Sequence, residues 1–428
     1  MRRSCSSWAL AVLLLTGASA AAQDMARARS TIELLASPAY HGRGYVKQGE
    51  HKAAAYIRKR FAALGLQPLV PNYTQPFQLP INTFPGKAIL QVDGQNLTPG
   101  RDFIAEPASG PATVQGPVLR FDTLIFTQET ARQQFLATDL RQQNLVLRQQ
   151  DVARLPTLPE PVQQHIAAAA SRITLVPKKL TASLANQQQQ QPQLQVMAER
   201  WPTTARVIKL RLDAKFQPAY QTQNVVGFLP GRVRPDSFLV VTAHYDHLGR
   251  LGHRTYFPGA NDNASGTAML LELAEHYARP ENRPAYSLVF LAFGAEEAGL
   301  VGSRYFVEHP LVPLPSIRFL LNLDLLGTGQ EGATVVNGRV FEPEYQLLQQ
   351  LNSAGRYLPS LAARGRAANS DHYYFSEQGV PAFFLYTRGT PSFYHDVQDQ
   401  AATLPLTGFP GTFHLLRSFL DALGGTSR

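Results

Sequence analysis

Five short segments put histidine, aspartate or glutamate at the expected exit of an apolar strand, the second of them in a turn that opens a helix. They are Val240-Val241-Thr242-Ala243-His244-Tyr245-Asp246, Gly259-Ala260-Asn261-Asp262-Asn263-Ala264-Ser265-Gly266, Phe293-Gly294-Ala295-Glu296-Glu297, Leu321-Asn322-Leu323-Asp324 and Tyr394-His395-Asp396. Carboxylates at the end of a buried strand are costly unless positive charge compensates them, and these segments contain no Lys or Arg. A bound cation would supply that charge. Histidine, aspartate and glutamate donors without a thiolate suit zinc, and less specifically manganese or cobalt. Taken singly, each residue has a plainer reading. His244 would be a satisfied core histidine, Asp262 a helix cap, Glu296-Glu297 a charged turn, Asp324 a strand-end acceptor and His395 a surface ion-pair partner. The joint occurrence, in this order and always at a strand exit, is what argues for a metal centre.

The elements that must position these residues follow from periodicity. Strands are expected at Phe238 to Thr242, Tyr286 to Phe293, Arg318 to Leu323, Thr334 to Asn337 and Pro381 to Thr387. Helices are expected at Ala264 to Ala278, Gly299 to Glu308, Glu342 to Tyr357, Asp371 to Gln378 and Thr412 to Leu423. Alternating strands and helices from Asn224 onward indicate a layered α/β domain, in which sites lie beyond the carboxyl ends of the strands. Upstream, Ser30 to Leu66 holds two helical patterns about a glycine-rich break, the second stopping at Gly65. Short strand-like runs occupy Leu79 to Ile104. Between residues 110 and 210 Gln and Ala become frequent, and 186–192 (Asn186, five glutamines, Pro192) is a low-complexity loop. That region is expected to be an inserted smaller domain with a mobile segment, dividing the catalytic domain into 23–109 and 211–428.

Bulk properties narrow the function classes. Residues 1–22 read as a cleavable signal peptide: Arg2 and Arg3, an apolar run from Trp8 to Leu15, and Ala18-Ser19-Ala20. The run is too short for a permanent membrane span, so a secreted or periplasmic protein without stable membrane insertion is expected. Cys5 is the single cysteine, leaving a mature chain with neither disulfides nor cysteine ligands. The net charge of +9 is spread over scattered basic residues, which argues against a nucleic-acid partner. No Gly-x-Ser-x-Gly elbow supports a serine nucleophile. Asn72, Asn96 and Asn263 begin Asn-x-Ser/Thr triplets, usable only in a eukaryotic secretory pathway.

The ordered set of segments resembles the M28 peptidases, a family of co-catalytic zinc aminopeptidases and carboxypeptidases. The resemblance spans Asn224 to about Leu423 and extends more weakly to Tyr40-His41-Gly42-Arg43 and the helix after it. It implies a three-layer α/β/α zinc-exopeptidase-like domain with a mixed central sheet, acting on peptides with two zinc ions. One zinc would be held by His244 and Asp324, the other by Glu297 and His395, with Asp262 bridging. Glu296 would be the general base and Asp246 would orient His244. The peptide bond after the bridging aspartate, Asp262-Asn263, would be cis. Ser370-Asp371-His372, with Phe375 and Gly379-Val380-Pro381, also fits the family pattern. Asp371 is expected to cap the short helix it begins, and Asp399 to support the His395 loop.

The chain departs from the family in places. Leu325 follows Asp324 where relatives commonly have methionine, and Asp396 follows His395 where they have threonine. Some aminopeptidases place an oxyanion-stabilising tyrosine shortly before Ser-Asp-His, where this chain has Arg366-Ala367-Ala368-Asn369; Tyr394 or Tyr373 are the substitutes at hand. Arg366, Arg388 and Arg304 could serve a carboxypeptidase, but no clear carboxylate clamp stands out, and the family's prevailing activity favours an aminopeptidase. The rival of similar fold is a single-zinc glutaminyl cyclase; the rival of another class is a non-catalytic binding ectodomain. The inserted region resembles protease-associated insertions and is expected to shape or cover the cleft.

Overall fold

Two helices open the described chain, which runs from residue 24 to 425 in this computed structural model: α1 (Met25–Leu35) and α2 (Gly49–Ala63). The Asp24 carboxylate caps α1 by accepting from the Arg27 N–H at 3.0 Å. Beyond α2, Gly65 takes a φ of 72°, a left-handed position that stops the helix where the sequence places the stop. The expected signal peptide, residues 1–22, lies outside the described residues. Among the described residues, no helix is long and apolar enough to cross a membrane.

The central sheet has nine strands. Eight are β1 (Thr74–Thr83), β2 (Lys215–Leu229), β3 (Arg234–His244), β4 (Tyr286–Phe293), β5 (Ile317–Leu323), β6 (Gly332–Val336), β7 (Leu361–Ala363) and β8 (Ala382–Arg388). The order is Gln67–Pro68, β2, β4, β3, β5, β8, β6, β7, with β1 also paired to β2. β4, β3, β5 and β8 run parallel, while β2 and β6 join them antiparallel, so the sheet is mixed. Interleaved helices are α3 (Gly266–Ala278), α4 (Val301–Glu308), α5 (Glu342–Gly355), α6 (His372–Glu377) and α7 (Phe409–Leu423). Tyr286–Phe293 matches its expected span; α7 starts earlier, at Phe409 rather than Thr412.

Alternation along β3 produces the three layers. Leu239, Val241 and Ala243 enter one core with Ile32 of α1, Phe61 of α2, Leu270 of α3 and Phe419 of α7. Phe238 and Val240 enter the opposite core with Phe306 of α4 and Phe375 of α6. Leu288 to Phe293 of β4 are wholly buried, as a strand covered on both faces requires. Each such large apolar side chain contributes roughly 1.5–3 kcal/mol by leaving water.

Between β1 and β2 the chain builds a second sheet of eight strands, from Ala88–Val92 to Val207–Leu212. Its first strands precede residue 110. The compositional change at 110 therefore marks the start of its glutamine- and alanine-rich part, because the hairpin Ala88–Val92/Gln95–Leu97 has ordinary strand composition. The expected glutamine-rich loop is a loop, and two of its glutamines are engaged. Gln191 donates to the carbonyls of Ile166 (2.9 Å) and Ala169 (3.1 Å), and Gln188 donates to Asn82 at 2.8 Å. Amide side chains there satisfy carbonyls at the end of the helix Glu160–Ala167, a use that composition does not reveal.

Candidate metal centre

The parallel strands β3, β4 and β5 deliver their carboxyl ends to one edge. His244 is the last residue of β3 and pairs in register with Phe293, the last of β4. Glu296 and Glu297 follow β4 through Ala295, Asp324 follows β5 at Leu323, and His395 lies in the loop beyond β8. Ala295 (φ 60°), Leu325 (φ 56°) and His395 (φ 56°) are all left-handed without being glycine. Such backbone costs on the order of 1 kcal/mol or more and collects at functional sites. Asp262 sits in the turn 260–265 that opens α3, and the Asp262-Asn263 peptide is cis. The N-cap position is Ser265, and the side-chain oxygen that accepts from the Gly266 N–H, at 2.8 Å, is that of Asn263 and not of Asp262.

The ligand atoms fall into two sets that share Asp262. His244 Nε2 lies 3.4 Å from Asp262 Oδ1 and 3.3 Å from Asp324 Oδ1. His395 Nε2 lies 3.3 Å from Asp262 Oδ2 and 3.0 Å from Glu297 Oε2. Donors each about 2.0–2.1 Å from a tetrahedral zinc sit about 3.3–3.4 Å apart; the two contacts of His244 and the His395–Asp262 contact have that spacing, and His395–Glu297 is shorter at 3.0 Å. Asp262 Oδ2 and Asp324 Oδ1, each pointed at one of these centres, are buried with no hydrogen-bond partner. Buried polar atoms are rarely left so unless something absent from the protein chain completes them. The residues fit a pair of metal ions.

Electrostatics make the same demand. Burial lowers the pKa of His244, yet Asp324 and Glu296 raise it well above the ordinary value. Burial also lowers that of His395, while Glu297 and Asp262 drive it up to about 11. Burial pushes Glu296 well up, with Asp371, Glu297 and Asp324 adding to the rise against His244, and burial raises Asp324 as well. The common cause is the crowding of carboxylates and imidazoles out of water.

Neighbouring groups fix the ligands. His395 Nδ1 faces the Ala182 carbonyl at 2.7 Å, and the Ala182 N–H donates back to the His395 carbonyl at 3.2 Å. Ser370 donates to Asp324 Oδ2 at 3.1 Å and accepts from Asn322 at 2.7 Å. Asp246 differs in detail from its expected role. His244 Nδ1 is 3.2 Å from the Asp246 backbone carbonyl and 3.7 Å from its carboxylate. The carboxylate instead accepts from the Glu296 N–H (3.1 Å) and the Tyr45 hydroxyl (3.2 Å). Asp399 holds the bridging turn, accepting from the N–H groups of Asn261 (2.8 Å) and Asp262 (3.0 Å). Asp371 occupies the N-cap position of α6 but makes no cap bond. Its carboxylate turns inward without a geometric partner, and burial raises its pKa to about 7.

Sequence reasoning missed two residues. His247, wholly buried, lies with Nδ1 2.6 Å from Glu297 Oε1. Its only signal was a fourth polar residue in His244-Tyr245-Asp246-His247. Arg43, read only as part of a weak N-terminal likeness, is fully buried and spends its guanidinium on the carbonyls of Tyr245, Leu35, Pro258, Gly259 and Asp262.

A cavity of about 280 Å³ opens onto the cluster, walled by Leu325, Arg364, Asn369, Phe384, Tyr386 and Tyr394. Tyr394 stacks on the His395 ring at 3.8 Å, whereas Tyr373 is not among the lining residues. Arg366 pairs with Glu377 at 3.3 Å and Arg388 bonds the Glu331 carbonyl at 2.7 Å; neither lines the cavity, and nor does Arg304.

A mixed α/β sheet with His, Asp and Glu converging at its carboxyl edge is the arrangement of a metallopeptidase, and residues 224–419 match the family model "Peptidase family M28". Within those residues the chain is similar to the peptidases of that family. Aminopeptidase YwaD of Bacillus subtilis (strain 168) is 26% identical over 365 residues, covering 82% of this chain and 74% of that protein. Leupeptin-inactivating enzyme 1 of Streptomyces exfoliatus is 31% identical over 42% of this chain and 41% of its own length. BSAP, a zinc aminopeptidase from Bacillus subtilis, has a TM-score of 0.72 at 20% identity, covering 95% of this chain and 97% of that one. The shared fold therefore extends well beyond the matched residues 224–419.

Proposed function

We propose that this protein is an exported two-zinc aminopeptidase that removes N-terminal residues from peptides. The observation that carries the reading is Asp262, whose two oxygens each face a different imidazole at 3.4 and 3.3 Å. One ion would be held by His244, Asp324 and Asp262, the other by His395, Glu297 and Asp262. A single-zinc cyclase has no use for the second set, and a non-catalytic ectodomain has no use for either. Zinc, when bound, supplies Lewis acidity to the scissile carbonyl and lowers the pKa of the attacking water.

The chain's own residues do the rest. Glu296 takes a proton from the attacking water and delivers it to the leaving amine, general base first and general acid second. The bond from its N–H to Asp246 fixes its backbone. Tyr394, stacked on His395 at the cavity wall, is the group placed to donate to the developing oxyanion. A free α-ammonium group suits a cavity floor rich in carboxylates; Arg366, Arg388 and Arg304 do not line the cavity, and Arg364, which does, donates to the Tyr386 hydroxyl at 3.1 Å. The names of the relatives point the same way. Export rests on the signal pattern of residues 1–22.

The test is zinc content and p-nitroanilide release from a panel of amino-acid anilides, for wild type and Glu296→Gln. Two zinc per chain, with kcat lowered about 10²–10⁴-fold in the variant and zinc uptake unchanged, is the expected result. One zinc, no anilide release and cyclisation of glutaminyl peptides would establish the cyclase instead.

A further inference from the structure

The second ligand set holds a residue with no assigned part in it. His247 Nδ1 stands 2.6 Å from Glu297 Oε1, while the other oxygen of that carboxylate, Oε2, faces His395. His247, Asp262 and Glu297 also present atoms close enough together to hold a metal ion. Ligand and positioning group are therefore the two roles open to His247, and the distance separates them. Two donors on one tetrahedral zinc sit about 3.3–3.4 Å apart. The pairs His244–Asp262, His244–Asp324 and His395–Asp262, at 3.3–3.4 Å, meet that spacing, and His395–Glu297 comes nearer to it at 3.0 Å than His247–Glu297 does. At 2.6 Å, His247 and Glu297 are instead at the distance of a charge-assisted hydrogen bond.

The ring has little freedom to do anything else. The His247 backbone N–H donates to the Arg43 carbonyl at 3.1 Å, which fixes the main chain that carries the ring. Gly259, at φ 58°, packs so closely that a Cβ there would come within 2.4 Å of His247 Cδ2 and 2.1 Å of the Asp262 carbonyl. His247 Nε2 is buried without a partner. With Nδ1–H committed to Glu297, that nitrogen is left as a bare acceptor, which is less costly than an unpaired donor beside buried backbone.

We infer that His247 is a positioning residue of the second metal site: it holds Glu297 Oε1 by an Nδ1–H bond and so presents Oε2 alone to the ion. The inference rests on the two-metal reading above. It completes a parallel between the sites. Ser370 restrains the non-ligating oxygen of Asp324 as His247 restrains that of Glu297, and carbonyls of Asp246 and Ala182 restrain the two imidazoles. Such supporting contacts typically change metal affinity about 10–100-fold when removed.

The experiment is a zinc titration of metal-stripped full-length protein against a chromogenic competing chelator, for wild type, His247→Leu, His247→Asn and His247→Gln. Asparagine can put an amide N–H near the position of Nδ1, whereas glutamine places its amide nearer Nε2. The expected result is a second zinc bound about 10–100-fold more weakly in the leucine and glutamine variants, substantial recovery in the asparagine variant, and a first zinc unchanged. Equal loss at both sites without rescue by asparagine would show a structural role and overturn the inference, as would a second site indifferent to all three substitutions. Should the leucine variant fail to fold, the contrast between asparagine and glutamine still decides. A wild type that takes up only one zinc would sink the two-metal reading and this inference with it, whereas a wild type with two zinc ions and an indifferent second site would sink this inference alone.

Discussion

Arg43 offers a test of how the catalytic edge is held together, because its whole side chain serves backbone. Its Nε and both terminal nitrogens reach five carbonyls at 2.6–3.0 Å, so every guanidinium N–H is used. Burial lowers its pKa to about 10, which still leaves it charged at neutral pH. Arg43→Met removes these donors while keeping most of the volume. The Gly259 carbonyl retains the Ala264 N–H, but the others lose a charged partner. At about 1 kcal/mol per weakened acceptor, a low value because the cost of burying the charge is relieved at the same time, the loss is roughly 4 kcal/mol. A chain of roughly 400 residues unfolds with about 0.8 kcal/mol/K of entropy if it melts as one unit, which converts this loss to a midpoint about 5 °C lower. Since Asp262 and Gly259 flank the bridging turn, zinc affinity should fall as well. Thermal melts with and without excess chelator separate the two effects. Arg43→Lys, with at most three donors, should fall between wild type and the methionine variant. A methionine variant that melts within about 1 °C of wild type in chelator, against a resolvable 5 °C, would refute the reasoning.

Two further perturbations address the buried carboxylates. Burial raises the pKa of Glu50 from 4.5 to about 8, so its folded-state stabilisation is present below pH 4.5 and is lost as pH rises through 8. Glu50→Gln should therefore melt higher than wild type at pH 9, by roughly 4–5 kcal/mol at most, with the gap closing toward pH 4.5; parallel pH profiles would refute this. Asp262→Asn keeps the shape and removes the bridging charge, so metal analysis should find fewer than two zinc per chain. Retention of two at wild-type affinity would show that Asp262 does not bridge.

What the sequence made legible and what it did not divide along a physical line. Strand exits were readable because runs such as Tyr286–Phe293 are apolar throughout, as strands covered on both faces must be, and parallel strands bring their ends to one edge. His244, Glu297 and Asp324, each just beyond such a strand, could therefore be anticipated as neighbours, whereas Asp262, in a helix-opening turn, and His395, in a loop, joined them through the family resemblance. Side-chain direction was not readable. Asp371 has both the residue type and the position of a helix cap, yet its carboxylate turns inward, where packing rather than local sequence decides the rotamer. His247 was visible as a residue, but its partner Glu297 lies 50 positions away on the end of another strand, and no local pattern announces such a pair.

Backbone carbonyls are harder still, because any residue can supply one. Each candidate imidazole ligand faces such an oxygen: His244 that of Asp246, His395 that of Ala182. The second is the more consequential. Ala182 follows the strand Ser171–Val176 of the inserted sheet, and Leu180 and Ala182 are buried in that sheet's own core. Packing within the inserted region thus determines where the Ala182 carbonyl stands, and the carbonyl determines which nitrogen of His395 is free to bind metal. The insertion was expected to shape or cover the cleft. Its contact with a candidate ligand gives it a more direct part in the proposed site, since a shift of the segment around residue 182 would reach His395 through one hydrogen bond.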